Sequence, residues 1–191
     1  MKKYLVIGNP INHSLSPKLH NFWFKQNQIN ATYNKIKLDL NQLKDLILEV
    51  KEKRIDGINI TVPFKNTVIP YLDQLTTEAE QTKSVNTIYF KNDKVIGHNT
   101  DIDGFEKAIN KINFKVTDKK IFILGAGGVV PSIVYALNKM GAINISISNR
   151  TKDKAQLVKD IFNNLKIVDW GDLTEFDIII NATSLGLNKD D

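Results

Sequence analysis

Apolar runs and helically spaced apolar positions alternate along this chain, and turn residues separate them. Leu5-Val6-Ile7, entered from Tyr4 and stopped by Gly8-Asn9-Pro10, predicts a first strand. Ser14-Leu15-Ser16-Pro17 predicts a helix start, with Ser16 as N-cap and Pro17 in the first helical position. That helix carries His20, Phe22, Trp23 and Phe24, and a second strand with Tyr33 is expected over 31–38. Leu43, Leu46, Ile47 and Val50 recur at helical spacing and predict a helix over 41–54. Asp56-Gly57 turns the chain into Ile58-Asn59-Ile60-Thr61-Val62, a strand stopped by Pro63. Short helices are expected over 64–72 and 75–83. Residues 85–90 and 95–97, joined at Asn92-Asp93, read as a hairpin. Asn99-Thr100-Asp101 starts a further helix that runs to about Ile112.

The second half repeats the alternation with a different punctuation. Ile121-Phe122-Ile123-Leu124 is an unbroken apolar run, as a strand buried on both faces of a parallel sheet requires. Gly125-Ala126-Gly127-Gly128-Val129 follows at once, then a helix over 133–140 ended by Gly141, and a strand over 143–148. A helix over 152–163, a short strand near Ile167 and the run Ile178-Ile179-Ile180 complete the pattern, the last read as another strand buried on both faces. Strand, glycine turn, helix, strand is the unit that cradles a dinucleotide pyrophosphate, because glycines admit the phosphates and the helix N-terminus attracts them. Gly125 and Gly127 fit the first two glycines of that fingerprint, and Val130 stands at the third.

The expected fold class is therefore α/β, with two domains: an N-terminal α/β domain over 1–101 and a Rossmann-like domain over 102–191. Five residues follow Gly186. A doubly wound domain calls for at least one more helix and strand there, so the second domain is expected to be incomplete, as in a fragment.

Composition narrows the function classes. The 191 residues are 42% hydrophobic and 25% charged, enough apolar material for a packed core. There is no cysteine, hence no disulfide framework, thiolate metal site or cysteine nucleophile. No signal peptide or membrane-length apolar segment is visible, so a soluble, cytoplasmic protein is expected. The net charge of +5 comes from lysines interleaved with acids, such as Lys44, Asp45, Glu49, Lys51, Glu52 and Lys53. That is a solvated helix face rather than a nucleic-acid stripe.

Candidate chemistry sits at strand ends. Ser148-Asn149-Arg150-Thr151-Lys152-Asp153-Lys154 ends the second strand of the glycine unit. An acid there would suit the ribose hydroxyls of NAD; Arg150, with Thr151 and Lys154, suits the 2′-phosphate of NADP instead. The plainer reading is a solvated helix start with Thr151 as N-cap. Asn59 and Thr61 share one strand face, opposite Ile58, Ile60 and Val62, and buried polar groups there need partners. A bound polyol and ordinary loop backbone are equally good partners. Lys65 lies just past that strand's C-terminal end, where α/β folds contact ligands, although most lysines are simply solvated. Asp101 could be no more than a helix-starting residue. His13, His20 and His98 lack metal-ligand spacing, so no metal site is expected.

Six motifs occur in order: Gly8-Asn9-Pro10-Ile11-x-His13-Ser14-x-Ser16-Pro17, Asn59-Ile60-Thr61-Val62-Pro63-Phe64-Lys65, Val85-Asn86-Thr87, Gly97-x-Asn99-Thr100-Asp101-x-x-Gly104, Gly125-Ala126-Gly127-Gly128 and Asn149-Arg150-Thr151. Together they resemble the shikimate dehydrogenase family, and the likeness extends to Asn181-Ala182-Thr183-Ser184-x-Gly186. The resemblance implies reversible NADP-dependent reduction of 3-dehydroshikimate to shikimate, on the route to chorismate and aromatic amino acids. It implies Ser14 and Ser16 at the substrate carboxylate; Asn59, Thr61, Asn86 and Asp101 at its hydroxyls; and Lys65 with Asp101 as the catalytic pair. It places Gly125, Ala126, Gly127, Gly128 and Val129 at the pyrophosphate, and Asn149, Arg150, Thr151 and Lys154 at the 2′-phosphate. Thr183 and Ser184 would lie on the nicotinamide side. Lys154 stands where many relatives carry a second arginine. Relatives also continue past residue 191, so the site is expected to be incomplete. The implied partner is a small molecule, with no nucleic acid and no membrane, in a monomer or homodimer. The alternatives are an NAD-using quinate/shikimate dehydrogenase and a non-catalytic fragment.

Overall fold

A computed structural model describes residues 1–186, and the chain falls into two compact units that divide between Thr100 and Asp101. The first unit contains β1 (Lys2–Gly8), α1 (Ser16–Gln26), β2 (Ala31–Lys37), α2 (Leu43–Lys51), β3 (Gly57–Ile60), β4 (Gln74–Leu75), α3 (Thr77–Thr82), β5 (Thr87–Lys91) and β6 (Lys94–His98). They form one mixed sheet in the order β2-β1-β3-β5-β6-β4. β1 pairs in parallel with β2 and β3, and β5 runs antiparallel to β3 and β6. The apolar face of α2 (Leu43, Leu46, Ile47 and Val50) packs with Ile7, Ile58, Val68 and Ile88 into a dry core. A smaller cluster of Val6, Ile11 and Tyr33 is joined by Tyr4 and by Phe24 of α1.

Several expectations need correction here. Leu15, already in helical geometry, is the N-cap of α1, and Ser16 is the first helical residue. The Ser14 hydroxyl accepts from the Ser16 N–H at 3.4 Å and takes the capping part. α2 begins only at Leu43, because an Asp39/Gln42 capping box winds a 3₁₀ turn over Leu40–Gln42 first. β3 ends at Ile60, before Thr61. Val62 is 58% exposed rather than buried, since the chain leaves the sheet ahead of Pro63. The stretch 64–72 is turns with one 3₁₀ turn, Ile69–Tyr71, instead of a helix. Pro70 has no donor and disfavours helix in the residue before it. Leu75 lies in β4, and α3 starts at Thr77 behind the N-cap Thr76.

The second unit contains α4 (Asp101–Lys111), β7 (Lys120–Leu124), α5 (Val130–Lys139), β8 (Asn144–Ser148), α6 (Lys152–Ile161), β9 (Leu165–Ile167) and β10 (Ile178–Asn181). Its sheet is wholly parallel, in the order β10-β7-β8-β9. The chain steps outward from β7 to β9, then returns to the far side of β7, so the topology switches between β7 and β10. Ile121, Phe122 and Ile123 are fully buried, and α5 is apolar nearly all round, with Val130, Val134, Ala136 and Leu137 in the core. Among the described residues β10 is the outermost strand on its side of the sheet: Ile178 and Ile180 pack on the core, and Ile179 is 50% exposed. Among the described residues no helix is long and apolar enough to cross a membrane.

Candidate active site

In the first unit the C-terminal ends of β1 and β3 and the start of β5 gather the polar residues singled out above. The Thr61 N–H donates to the Ile7 carbonyl (3.0 Å), which holds Thr61 beside the loop that carries Ser14. Asn59, half-buried on β3, accepts from the Tyr33 hydroxyl through Oδ1 at 2.6 Å. Its Nδ2 donates to the Asn86 carbonyl (3.2 Å) and to Thr87 Oγ1 (3.1 Å). Asn86 is buried, and its Oδ1 takes the Thr100 N–H at 2.9 Å while its Nδ2 donates to Thr100 Oγ1 at 2.8 Å. Asn59, Asn86, Thr87 and Thr100 are thus one network, and Asp101 follows it directly in the chain as the first residue of α4. Lys65 is half-buried in the turn after β3, and its carbonyl accepts from the Val85 N–H at 2.7 Å. Ser14 and Ser16 lie together where α1 begins.

Tyr33 and His20 carry no motif, and the sequence reading missed their part in this region. The His20 ring stacks on Tyr33 at 4.2 Å between centroids and 4° between planes. Burial pushes the Tyr33 phenol above its ordinary range, so it stays a protonated donor. Burial also pushes His20 down, toward the neutral imidazole. Asn21 brackets the same residue, donating to the Tyr33 carbonyl (2.7 Å) and accepting from its N–H (2.9 Å).

In the second unit the crevice lies at the C-terminal ends of β7 and β10, the switch point where open α/β sheets bind ligands. Gly125 has φ +106°, and a Cβ there would sit 2.7 Å from the Ala182 carbonyl oxygen. Only glycine lets the turn pass so close to the chain beyond β10. Gly127 and Gly128 are exposed, and the first turn of α5 holds no acid. The Asn149 side chain ties the turn to the end of β8: Oδ1 accepts from the Ala126 N–H (3.1 Å), and Nδ2 donates to the Thr151 carbonyl (2.7 Å). Arg150 and Lys154 are exposed, whereas Lys152 pairs with Asp169 at 2.7 Å. Thr151 occupies the N-cap position of α6, but its side chain makes no capping bond. Beyond β10, Asn181 Oδ1 accepts from both the N–H (3.0 Å) and the hydroxyl (2.6 Å) of Thr183, and Ser184 is exposed beside it. Among the described residues no group of His, Asp or Glu could hold a metal ion.

The second unit is thus a Rossmann-like α/β unit with a glycine turn at its switch point, preceded by a separate mixed-sheet unit with its own polar cluster. Residues 6–88 match the family described as the shikimate dehydrogenase substrate binding domain. Residues 106–187 match the family described as shikimate/quinate 5-dehydrogenase. The chain is 54% identical over 190 residues to the shikimate dehydrogenase (NADP(+)) of Pelagibacter ubique, covering all of this chain and 72% of that protein. The crystal structure of shikimate dehydrogenase from Aquifex aeolicus superposes with a TM-score of 0.89 at 37% identity, over 100% of this chain and 72% of that one. The Thermus thermophilus shikimate 5-dehydrogenase, solved with NADP(H) and shikimate, gives 0.87 at 30% identity, over 98% and 70%. The chain belongs to the shikimate dehydrogenase family.

Proposed function

We propose that this protein catalyses the reversible NADP-dependent oxidation of shikimate to 3-dehydroshikimate. The observation that carries the reading is the glycine turn at the switch point. Gly125 clears the floor of the crevice, Gly127 and Gly128 are exposed, and no acid stands in the first turn of α5. A dinucleotide diphosphate fits that donor set. Gly125, Ala126, Gly127, Gly128 and Val129 would hold it, and Asn149, Arg150, Thr151 and Lys154 would take a 2′-phosphate, with Thr183 and Ser184 toward the nicotinamide. The bound nicotinamide supplies the hydride acceptor.

The chain's own residues handle the rest of the chemistry. Ser14 and Ser16 offer hydroxyls to the substrate carboxylate. Asn59, Thr61, Asn86 and Asp101 orient the ring hydroxyls. Lys65 accepts the proton released from the reacting hydroxyl and returns it in the reductive direction, with Asp101 as the other member of the catalytic pair. The 1–101 stretch would act as the substrate domain, and 102–191 as the NADP domain. The partner is then a small carboxylate polyol.

Calorimetric titration tests this reading. We expect NADPH to bind more tightly than NADH, and shikimate more tightly than quinate. Preference for NADH and quinate would favour the NAD-using quinate/shikimate branch instead.

A further inference from the structure

We propose that Tyr33 is a positioning residue of the substrate site: its hydroxyl pins the Asn59 amide so that Asn59 meets a ligand as a hydrogen-bond acceptor. The inference rests on the reading above that Asn59 contacts substrate.

The argument starts from distance. β2 and β3 flank β1 on opposite sides, so Tyr33 and Asn59 are two strand spacings apart, about 10 Å. Tyr33 is in register with Tyr4, and Asn59 with Val6, two residues further along the same face of β1. A phenol reaches across Val6 and ends in a donor; phenylalanine reaches without donating, and serine does not reach. Tyr33 is only 2% exposed, so it is held in that span.

Backbone groups then settle the orientation of each amide. The Asn86 carbonyl can only accept, so the Asn59 atom facing it at 3.2 Å is Nδ2. Oδ1 therefore faces Tyr33, and the phenol must be the donor of the 2.6 Å bond. The other Nδ2 hydrogen goes to Thr87 Oγ1, whose own hydrogen points on to Asn86 Oδ1 at 3.0 Å. The Thr100 N–H can only donate, which fixes that oxygen of Asn86 in the same way. The side-chain donors run in one direction, from Tyr33 through Asn59, Thr87 and Asn86 to Thr100 Oγ1, and the Thr100 N–H closes the end of the relay on Asn86 Oδ1. Both Asn59 hydrogens are committed inside the protein, and what Asn59 offers outward is the second lone pair of Oδ1. A ring hydroxyl can donate to it; a carbonyl cannot bind there.

The test is Tyr33→Phe, which keeps the ring stacked on His20 and removes only the hydroxyl. We expect the KM for shikimate to rise about 5- to 10-fold, the effect of losing one such bond. The KM for NADP should stay within about twofold. In an Asn59→Ala background, the same Tyr33→Phe step should change the shikimate KM by less than about twofold, because the two residues act as one unit. Heteronuclear NMR of the wild type should show Asn59 side-chain amide protons that exchange slowly, and Tyr33→Phe should lose that protection. An equal penalty with Asn59→Ala, or an equal rise in the NADP KM, would mean Tyr33 is merely structural and overturns the proposal. So would a shikimate KM untouched by Tyr33→Phe in an active chain, which leaves the substrate reading standing. A wild type that neither binds nor turns over shikimate fails the substrate reading itself and takes this proposal with it.

Discussion

Arg150 is exposed just past β8, and no ion pair among the described residues occupies it. A charge-assisted contact with a 2′-phosphate is worth about 1.5–3 kcal/mol, or roughly 10- to 100-fold in affinity. Arg150→Ala should therefore weaken NADP by about that factor and leave NAD nearly unchanged; equal weakening of both would contradict its role. Lys65→Ala should lower turnover by about 10²–10⁴-fold while the dissociation constant for shikimate moves far less. Loss of both in parallel would reduce Lys65 to a binding contact. The sequence singles out both residues because each follows the C-terminal end of a predicted strand, where open α/β folds contact ligands. Tyr33 was not legible. Its partner lies two strands away on β3, and no spacing in the sequence carries that pairing.

At the scale of elements, the turn after β7 is the most constrained. Gly125→Ala puts a side chain at φ +106° and against the Ala182 carbonyl oxygen. We expect a loss of stability of about 1–3 kcal/mol on denaturant unfolding, together with weaker nucleotide binding. An alanine variant with wild-type stability would show that the β7–β10 approach is looser than described. The packing of α1 on β2 yields a pH prediction. Burial lowers the folded-state pKa of His20, so the unfolded chain takes up a proton first as pH falls below about 6.5. Stability is thus fully present above that value and declines as pH falls toward the folded pKa. A series of unfolding curves should show this fall, and His20→Phe, which keeps the stack, should flatten it. The hairpin was readable because Asn92 and Asp93 tolerate the positive φ values, 52° and 58°, that a two-residue turn demands. The helix expected over 64–72 does not form, because Pro70 lacks a donor and disfavours helix in the residue before it.

The molecule consists of two units, each with its own core. The first holds a polar cluster on β3 and β5; the second holds a glycine turn at a topological switch point. The glycine fingerprint made the second unit plain in the sequence. The first unit became recognisable only through the ordered motifs that precede the glycine turn, because a mixed sheet has no fingerprint of its own. The central claim is that this chain moves a hydride between shikimate and NADP. The most direct measurement is nicotinamide absorbance after shikimate is added to the chain with NADP. The account predicts reduction of NADP that depends on shikimate, faster than with NAD or with quinate. No reduction with shikimate and either nucleotide, by a chain shown to bind both ligands, would contradict it.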